Sequence, residues 1–377
     1  SARRSLLLLL SSRSFSTELV AKREDTNDIS RGGSHGGTRR PPRAAVQEIA
    51  AAAAKAPGMR VVSRSHVLTQ PLEALAARRG IEFIGVGDAA SLHRELADAD
   101  ALWLWPAFYD AALVEELERC APRLGWLQLM TMGYDPVEVH GAPRGVTITN
   151  AGDSYGPTVA EHAVTLLLAL LRQLPQMQRR AEARAWDQSV TAGIGTLNDA
   201  TVAVIGFGNI GREIARRLRA FGARVVAVTR SGEAGPLADE SARIDDLHAV
   251  LGRCDAAILA VPLTPATRHL IDAAALAAMP RHGLLVNIAR GGVIDSAALA
   301  DALAAGRIAG AGLDVTEPEP LPPESPLWSL PNAIVTPHVA GFGGQVPGRR
   351  VLALIERNFD HYSAGRPLEA RIPVAPR

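Results

Sequence analysis

The chain has 377 residues, of which 47% are apolar and 21% charged, with two cysteines and a formal net charge of +1. That composition describes globular domains, two to three of them at about 150 residues each, and excludes collagen-like, wholly disordered and disulfide-scaffold chains. Residues 1–43 hold nine basic and four acidic side chains, leaving 31 basic against 35 acidic ones beyond them, so the body has no basic surplus with which to bind nucleic acid.

Residues 1–17 contain Arg3, Arg4 and Arg13, seven hydroxyl side chains and no acid, the composition of an organelle (mitochondrion or chloroplast) transit peptide. The run Leu6–Leu10 is five residues long, short of the about 7–15 of a secretory signal. A tail without an address is the alternative. Residues 18–43 offer little apolar surface to offset ordering entropy, and residues 1–58 are expected to be transit peptide and disordered leader.

From Met59 short apolar runs alternate with amphipathic stretches: MRVVSR, PLEALAARR, IEFIGV, SLHRELAD, ALWLW, DAALVEELERC, WLQLM and then VTIT. Strand and helix alternate in this way in a parallel sheet covered on both faces. A long helix is expected over 158–184, kinked at Pro175, which lacks an amide donor. A second alternating series follows: TVAVIG, a helix over 210–221, RVVAVT, a helix near 244–251, AAILAV, a helix near 272–279, LLVNIA, a helix over 296–304, IAGAGLDV and NAIVTP. The fold class is therefore α/β with doubly wound parallel sheets. The longest apolar run, Ala163–Leu171, falls short of the roughly 18 residues a membrane span needs. Cys120 and Cys254 have no His or Cys companions at ligand spacing, so no metal site is expected and both read as reduced thiols.

Gly206-Phe207-Gly208-Asn209-Ile210-Gly211 follows one expected strand and opens a helix. In that context the first glycine permits the turn, the second lets backbone approach a pyrophosphate, and the third lets helix pack on strand. A bare strand-to-helix turn is the alternative. Where a NAD-binding unit usually ends its second strand in an acid, this chain has Thr229-Arg230-Ser231. An arginine beside a hydroxyl suits a 2′-phosphate, so NADP is preferred over NAD. Arg230 as a solvated loop charge is the other reading. Arg290, Glu319 and His338 lie at the ends of three later strands. Together they fit reduction of a 2-keto acid: the guanidinium holds the carboxylate, the imidazole gives a proton to the carbonyl oxygen, and the carboxylate orients the imidazole. Singly, each is as readily a structural or solvated residue.

These strings, with WLQLMTMGYD, TVAEHAVTLLLALLR, VPLTPATRHLI, LLVNIARGGVID and AGAGLDVTEPEPLPPESPLW in order, resemble the D-isomer-specific 2-hydroxyacid dehydrogenase family, which includes glyoxylate/hydroxypyruvate reductases and phosphoglycerate dehydrogenases. The resemblance covers roughly residues 60–365. It implies that Arg290, Glu319 and His338 are catalytic, that Asp314 holds the nicotinamide amide, and that Val261, Pro262, Thr267 and Ala289 line the cofactor. It further implies a substrate loop in which amides of Met132 and Gly133 hold the carboxylate, as a nest does. Glu317 is read as solvated, and His162 as packing. The family architecture implies a Rossmann cofactor domain (156–339) inserted into a flavodoxin-like substrate domain (59–155 and 340–377). It also implies a homodimer, for which the exposed-looking stripe Leu166–Leu171 is suited. With so few residues after His338, the regulatory domain that some phosphoglycerate dehydrogenases append is not expected. The expected partner is a small 2-keto or 2-hydroxy acid, with no nucleic acid and no membrane. The family also resembles transcriptional corepressors that sense dinucleotides, which leaves a non-catalytic sensor as the alternative.

Overall fold

The structure, a computed structural model, describes residues 58–373; residues 1–57, and with them all of the expected leader but Gly58, lie outside it. Strands β1 (Arg60–Arg64), β2 (Glu82–Gly85), β3 (Ala101–Leu104), β4 (Trp126–Leu129) and β5 (Thr147–Thr149) form one parallel sheet in the order β2-β1-β3-β4-β5. Every residue of β3 and β4 is buried, as in parallel strands covered on both faces. Successive residues feed opposite cores: Val62 and Leu102 pack with Leu92 and Leu113, whereas Val61 and Trp103 pack with Leu72 and Trp126.

The second of these cores is completed by helix Gln345–Ser363, through Val351, Ile355 and Phe359. The sequence reading named no helix there; Pro347 stands in its first turn, a place where proline costs no hydrogen bond. Arg79 holds this helix through Glu356 (3.0 Å) and Asp360 (3.1 Å). The chain then returns beside β5, where the Ile372 amide donates to the Ile148 carbonyl (2.9 Å).

Strands β6 (Thr201–Ile205), β7 (Arg224–Thr229), β8 (Glu240–Arg243), β9 (Ala256–Leu259), β10 (Leu284–Asn287), β11 (Gly310–Leu313) and β12 (Ala333–Val335) form a second parallel sheet in the order β12-β11-β10-β9-β6-β7-β8. Cores on both faces make it doubly wound as well. Edge strand β8, with sequence ESAR, was not anticipated. Its charges and half-exposed residues lack an apolar signal and suit a strand that must not pair further.

Two expectations are corrected. The helix expected over 158–184 is two helices, Gly156–Leu171 and Leu174–Glu182, separated at Gln173 in the left-handed region (φ 55°). Pro175 sits in the first turn of the second helix, where its missing amide costs nothing, and so starts a helix instead of kinking one. The leucine stripe is also not exposed. Leu166, Leu167 and Leu170 are buried in the core of their own sheet, and Leu168 and Leu171 pack against it. Gly310 and Gly312 in β11 make room, since a Cβ there would lie 3.1 Å from Leu170 and 3.0 Å from Leu166. Of the stripe, only Leu168 and Leu171 keep partial exposure among its leucines. Among the described residues no helix is long and apolar enough to cross a membrane.

Candidate active site

In the seven-stranded sheet the strand order reverses at β6 and β9, the place where doubly wound sheets take ligands. The glycine loop lies there. Gly206 has φ 92°, and a Cβ on it would meet the Ala260 carbonyl oxygen at 2.4 Å, while one on Gly211 would meet the Gly206 carbonyl oxygen at 2.1 Å. Both are demanded by the fold. At Gly208 a Cβ would meet nothing within 4 Å, so this glycine leaves room that no protein atom fills. It precedes helix Asn209–Ala220, which has no side-chain cap, leaving the amides of Asn209, Ile210 and Gly211 directed at an anion site. A dinucleotide pyrophosphate fits this cradle.

Beyond β7, Thr229 Oγ1 accepts from the Gly232 amide (2.9 Å) and donates to the Glu233 carbonyl (3.2 Å), and Ser231 Oγ accepts from the Glu233 amide (3.3 Å). The two hydroxyls thus build the turn, and Arg230 stands exposed at its tip. Val261 and Pro262 follow β9. Thr267 braces that loop by donating to the Pro262 carbonyl (2.7 Å). Ala289 is buried after β10, its amide donating to Asn287 (3.0 Å).

Arg290, Glu319 and His338 follow β10, β11 and β12, three adjacent strands. His338 Nδ1 lies 2.6 Å from Glu319 Oε1, so Nδ1–H donates and Nε2 is left for a second partner. The Asp314 carboxylate, 1% exposed, holds the His338 segment. It accepts from Thr336 Oγ1 (2.6 Å) and from the amides of Val339 and Ala340 (2.9 Å each). Burial alone would raise the Asp314 pKa. Hydrogen bonds from His162, Thr336, Ala340 and Val339 outweigh that and lower it to about 2. Asp314, expected at the nicotinamide, thus has protein donors on both oxygens. His162, expected to pack, instead makes polar contacts, with Nε2 3.0 Å from Thr336 Oγ1 and 3.3 Å from Asp314 Oδ1. Glu317, expected to be solvated, pairs bidentately with Arg268 (3.0 and 3.1 Å).

Arg290 meets a residue that the sequence reading did not single out. Its Nη2 and Nε donate to the Asp135 carboxylate (2.8 and 3.1 Å), and its Nη1 donates to the Ala289 carbonyl (2.7 Å). Three of the five guanidinium N–H bonds are thereby taken and two are left. Asp135 opens the short helix Asp135–His140 after β4, so this pair joins the carboxyl edges of the two sheets. Burial raises the Asp135 pKa, but the hydrogen bonds and charge of Arg290, with a further contribution from His338, bring it below the ordinary carboxylate value. Gly133 completes the contact: a Cβ there would lie 2.2 Å from Arg290 Nη2. The carbonyls of Met132 and Gly133 accept from Asn150 Nδ2 (2.7 Å) and Thr131 Oγ1 (3.1 Å), while their amides make no protein hydrogen bond among the described residues. No group of three His, Cys, Asp or Glu side chains among the described residues is arranged to hold a metal ion.

A family model described as D-isomer specific 2-hydroxyacid dehydrogenase, NAD binding domain, matches residues 164–340. A D-3-phosphoglycerate dehydrogenase of Mycobacterium bovis is 37% identical over 280 residues, 73% of this chain and 52% of that protein. The chain thus spans about half the length of the phosphoglycerate dehydrogenases it matches. A glyoxylate reductase of Thermococcus kodakarensis is 35% identical over 283 residues, 73% of this chain and 83% of that one. Among solved structures, an NADPH-dependent glyoxylate/hydroxypyruvate reductase of Sinorhizobium meliloti, in complex with NADP and sulfate, superposes with a TM-score of 0.72 at 29% identity, covering 83% of this chain and 98% of that one.

Proposed function

The chain belongs to the D-isomer specific 2-hydroxyacid dehydrogenase family, and from that premise we propose that it is an NAD(P)-dependent reductase of the glyoxylate/hydroxypyruvate type, interconverting a 2-keto acid and a D-2-hydroxy acid. The observation that carries this reading is the hydrogen-bonded pair His338–Glu319 on the strand edge that also presents Arg290. The bound nicotinamide dinucleotide would supply or accept the hydride.

The chain supplies the remaining steps. The two uncommitted N–H bonds of Arg290, with the amides of Met132 and Gly133, bind the substrate carboxylate. Asp135 keeps the guanidinium from rotating away. His338 gives its Nε2 proton to the carbonyl oxygen as charge develops there, and Glu319 offsets the imidazolium charge through Nδ1. In the direction of oxidation the same nitrogen takes the hydroxyl proton.

NADP is proposed as the preferred cofactor because the turn after β7 carries Arg230 and no acid at its tip. The test is oxidation of NADPH and of NADH across a panel of 2-keto acids, with Arg230→Asp alongside. Turnover with NADPH ahead of NADH is expected, and Arg230→Asp should shift that ratio toward NADH by roughly tenfold or more. No turnover with either cofactor overturns the reductase, and an unmoved ratio overturns the phosphate role of Arg230. The basic, hydroxyl-rich leader supports an organellar address, checked by fusing residues 1–58 to a fluorescent protein.

A further inference from the structure

His338 sits in the left-handed region of the backbone (φ 53°), a conformation that a residue other than glycine keeps only where its surroundings enforce it. Its amide donates to the Asp314 carbonyl (2.8 Å), and the next two amides donate to the Asp314 carboxylate (2.9 Å each). That carboxylate is in turn held by side chains. Thr336 Oγ1 gives its single hydrogen to Asp314 Oδ1 (2.6 Å), so toward His162 Nε2, 3.0 Å away, the hydroxyl can only accept. His162 therefore carries a proton on Nε2, and Asp314 Oδ1 lies 3.3 Å from the same nitrogen. The chain of contacts His162–Thr336–Asp314 ends on the amides of Val339 and Ala340, next to His338. A histidine that only filled space would not account for two oxygens within reach of one ring nitrogen.

His162 enters this chain from helix Gly156–Leu171. Tyr155, which precedes the helix, donates from its hydroxyl to the Met130 carbonyl (3.0 Å), just after β4 and two residues before the loop amides of Met132 and Gly133. Tyr155 and His162 are seven positions apart, about 10 Å along the axis and close to two whole turns, and so lie on one face. One helix thus grips the substrate loop at its start and the segment of the proton donor two turns later.

We propose that His162 is a positioning residue of the reaction: through Thr336 and Asp314 it locks the His338 segment to helix Gly156–Leu171 and so fixes the proton donor relative to the loop that receives the substrate carboxylate. The assignment rests on the reductase reading above. His162 touches no reacting atom, and its effect passes through His338. It should therefore act on kcat and leave the KM of the keto acid, which Arg290 and the loop amides set, nearly unchanged.

The experiment measures kcat and KM of the full chain for the best 2-keto acid of the panel above, at saturating cofactor, in wild type, His162→Leu and His162→Gln. His162→Leu removes the donor and should lower kcat roughly tenfold, with KM within about twofold of wild type. His162→Gln, whose amide nitrogen stands where Nε2 does, should bring kcat back to within about threefold. In a chain already carrying His338→Gln, His162→Leu should cost less than about twofold, because the group it positions is gone. Should His162→Leu fail to fold, His162→Asn, whose amide is one bond too short to reach Thr336, replaces it with the same expectations. A kcat unmoved by loss of the donor, a glutamine variant no better than the leucine one, an undiminished loss in the His338→Gln chain, or a KM that rises as much as kcat falls overturns the positioning role while leaving the reductase standing. A wild type that turns over no 2-keto acid overturns both.

Discussion

The two sheets present their carboxyl edges to chemistry in different ways. On the seven-stranded sheet the segments that carry the candidate residues are tied down through backbone groups. Asp314 holds the His338 segment through two amides, and Gly206 and Gly211 are in near contact with carbonyl oxygens. On the five-stranded sheet the link to that edge is a pair of side chains, Asp135 on Arg290. Backbone-held groups are positioned by the fold itself, and the same arrangement can serve many substrates. Side-chain-held groups can be exchanged without disturbing a strand, which is where substrate preference can change cheaply.

If the contrast is sound, damage to the backbone-held edge should abolish chemistry or stability, and damage to the other should retune it. The largest effect is expected from His338→Gln, which removes the proton donor and should lower kcat by roughly 10²–10⁴-fold with little change in melting temperature. A kcat within a few fold of wild type would remove His338 from the reaction. The next concerns Asp314. A carboxyl lowered from 3.8 to about 2 in the fold stabilises the protein above its unfolded value, and that contribution is lost as pH falls from about 4 toward 2. Nearly two units correspond to about 2.5 kcal/mol. Asp314→Asn should therefore lower the unfolding free energy at pH 7, read from urea titration, by that order and flatten the decline of stability between about pH 4 and 2. A wild-type curve with no decline in that window would show that the clamp does not hold the His338 segment through its charge.

The same contrast explains what was legible in the sequence. Strands buried on both faces, such as TVAVI, AAIL and LLVN, are continuous apolar runs, so both parallel sheets could be read in advance. Gly206, Gly208 and Gly211 could be read because a turn, an open cradle and a close approach each need glycine. Arg290, Glu319 and His338 stand out as polar residues ending apolar strands. Asp135 did not, since an acid in the first turn of a helix is ordinary, and only the fold brings Arg290 to it across 155 positions. The burial of Leu166 and Leu170 depends on Gly310 and Gly312, more than 130 residues away in sequence.

The smallest predicted effect also separates the two edges most finely. Asp135→Asn preserves the shape of the Asp135 side chain and one acceptor for Arg290, but removes the charge that makes the pair bidentate and charge-assisted. The guanidinium should then be less firmly oriented, lowering kcat by about tenfold. A negative charge beside the substrate carboxylate is lost in the same step, so KM should stay level or fall. That split is the informative outcome, because general loosening of the site would lower kcat and raise KM together. If Asp135→Asn leaves kcat untouched, the contact between Asp135 and Arg290 is incidental. The orientation of the guanidinium would then come from the Ala289 carbonyl on its own edge.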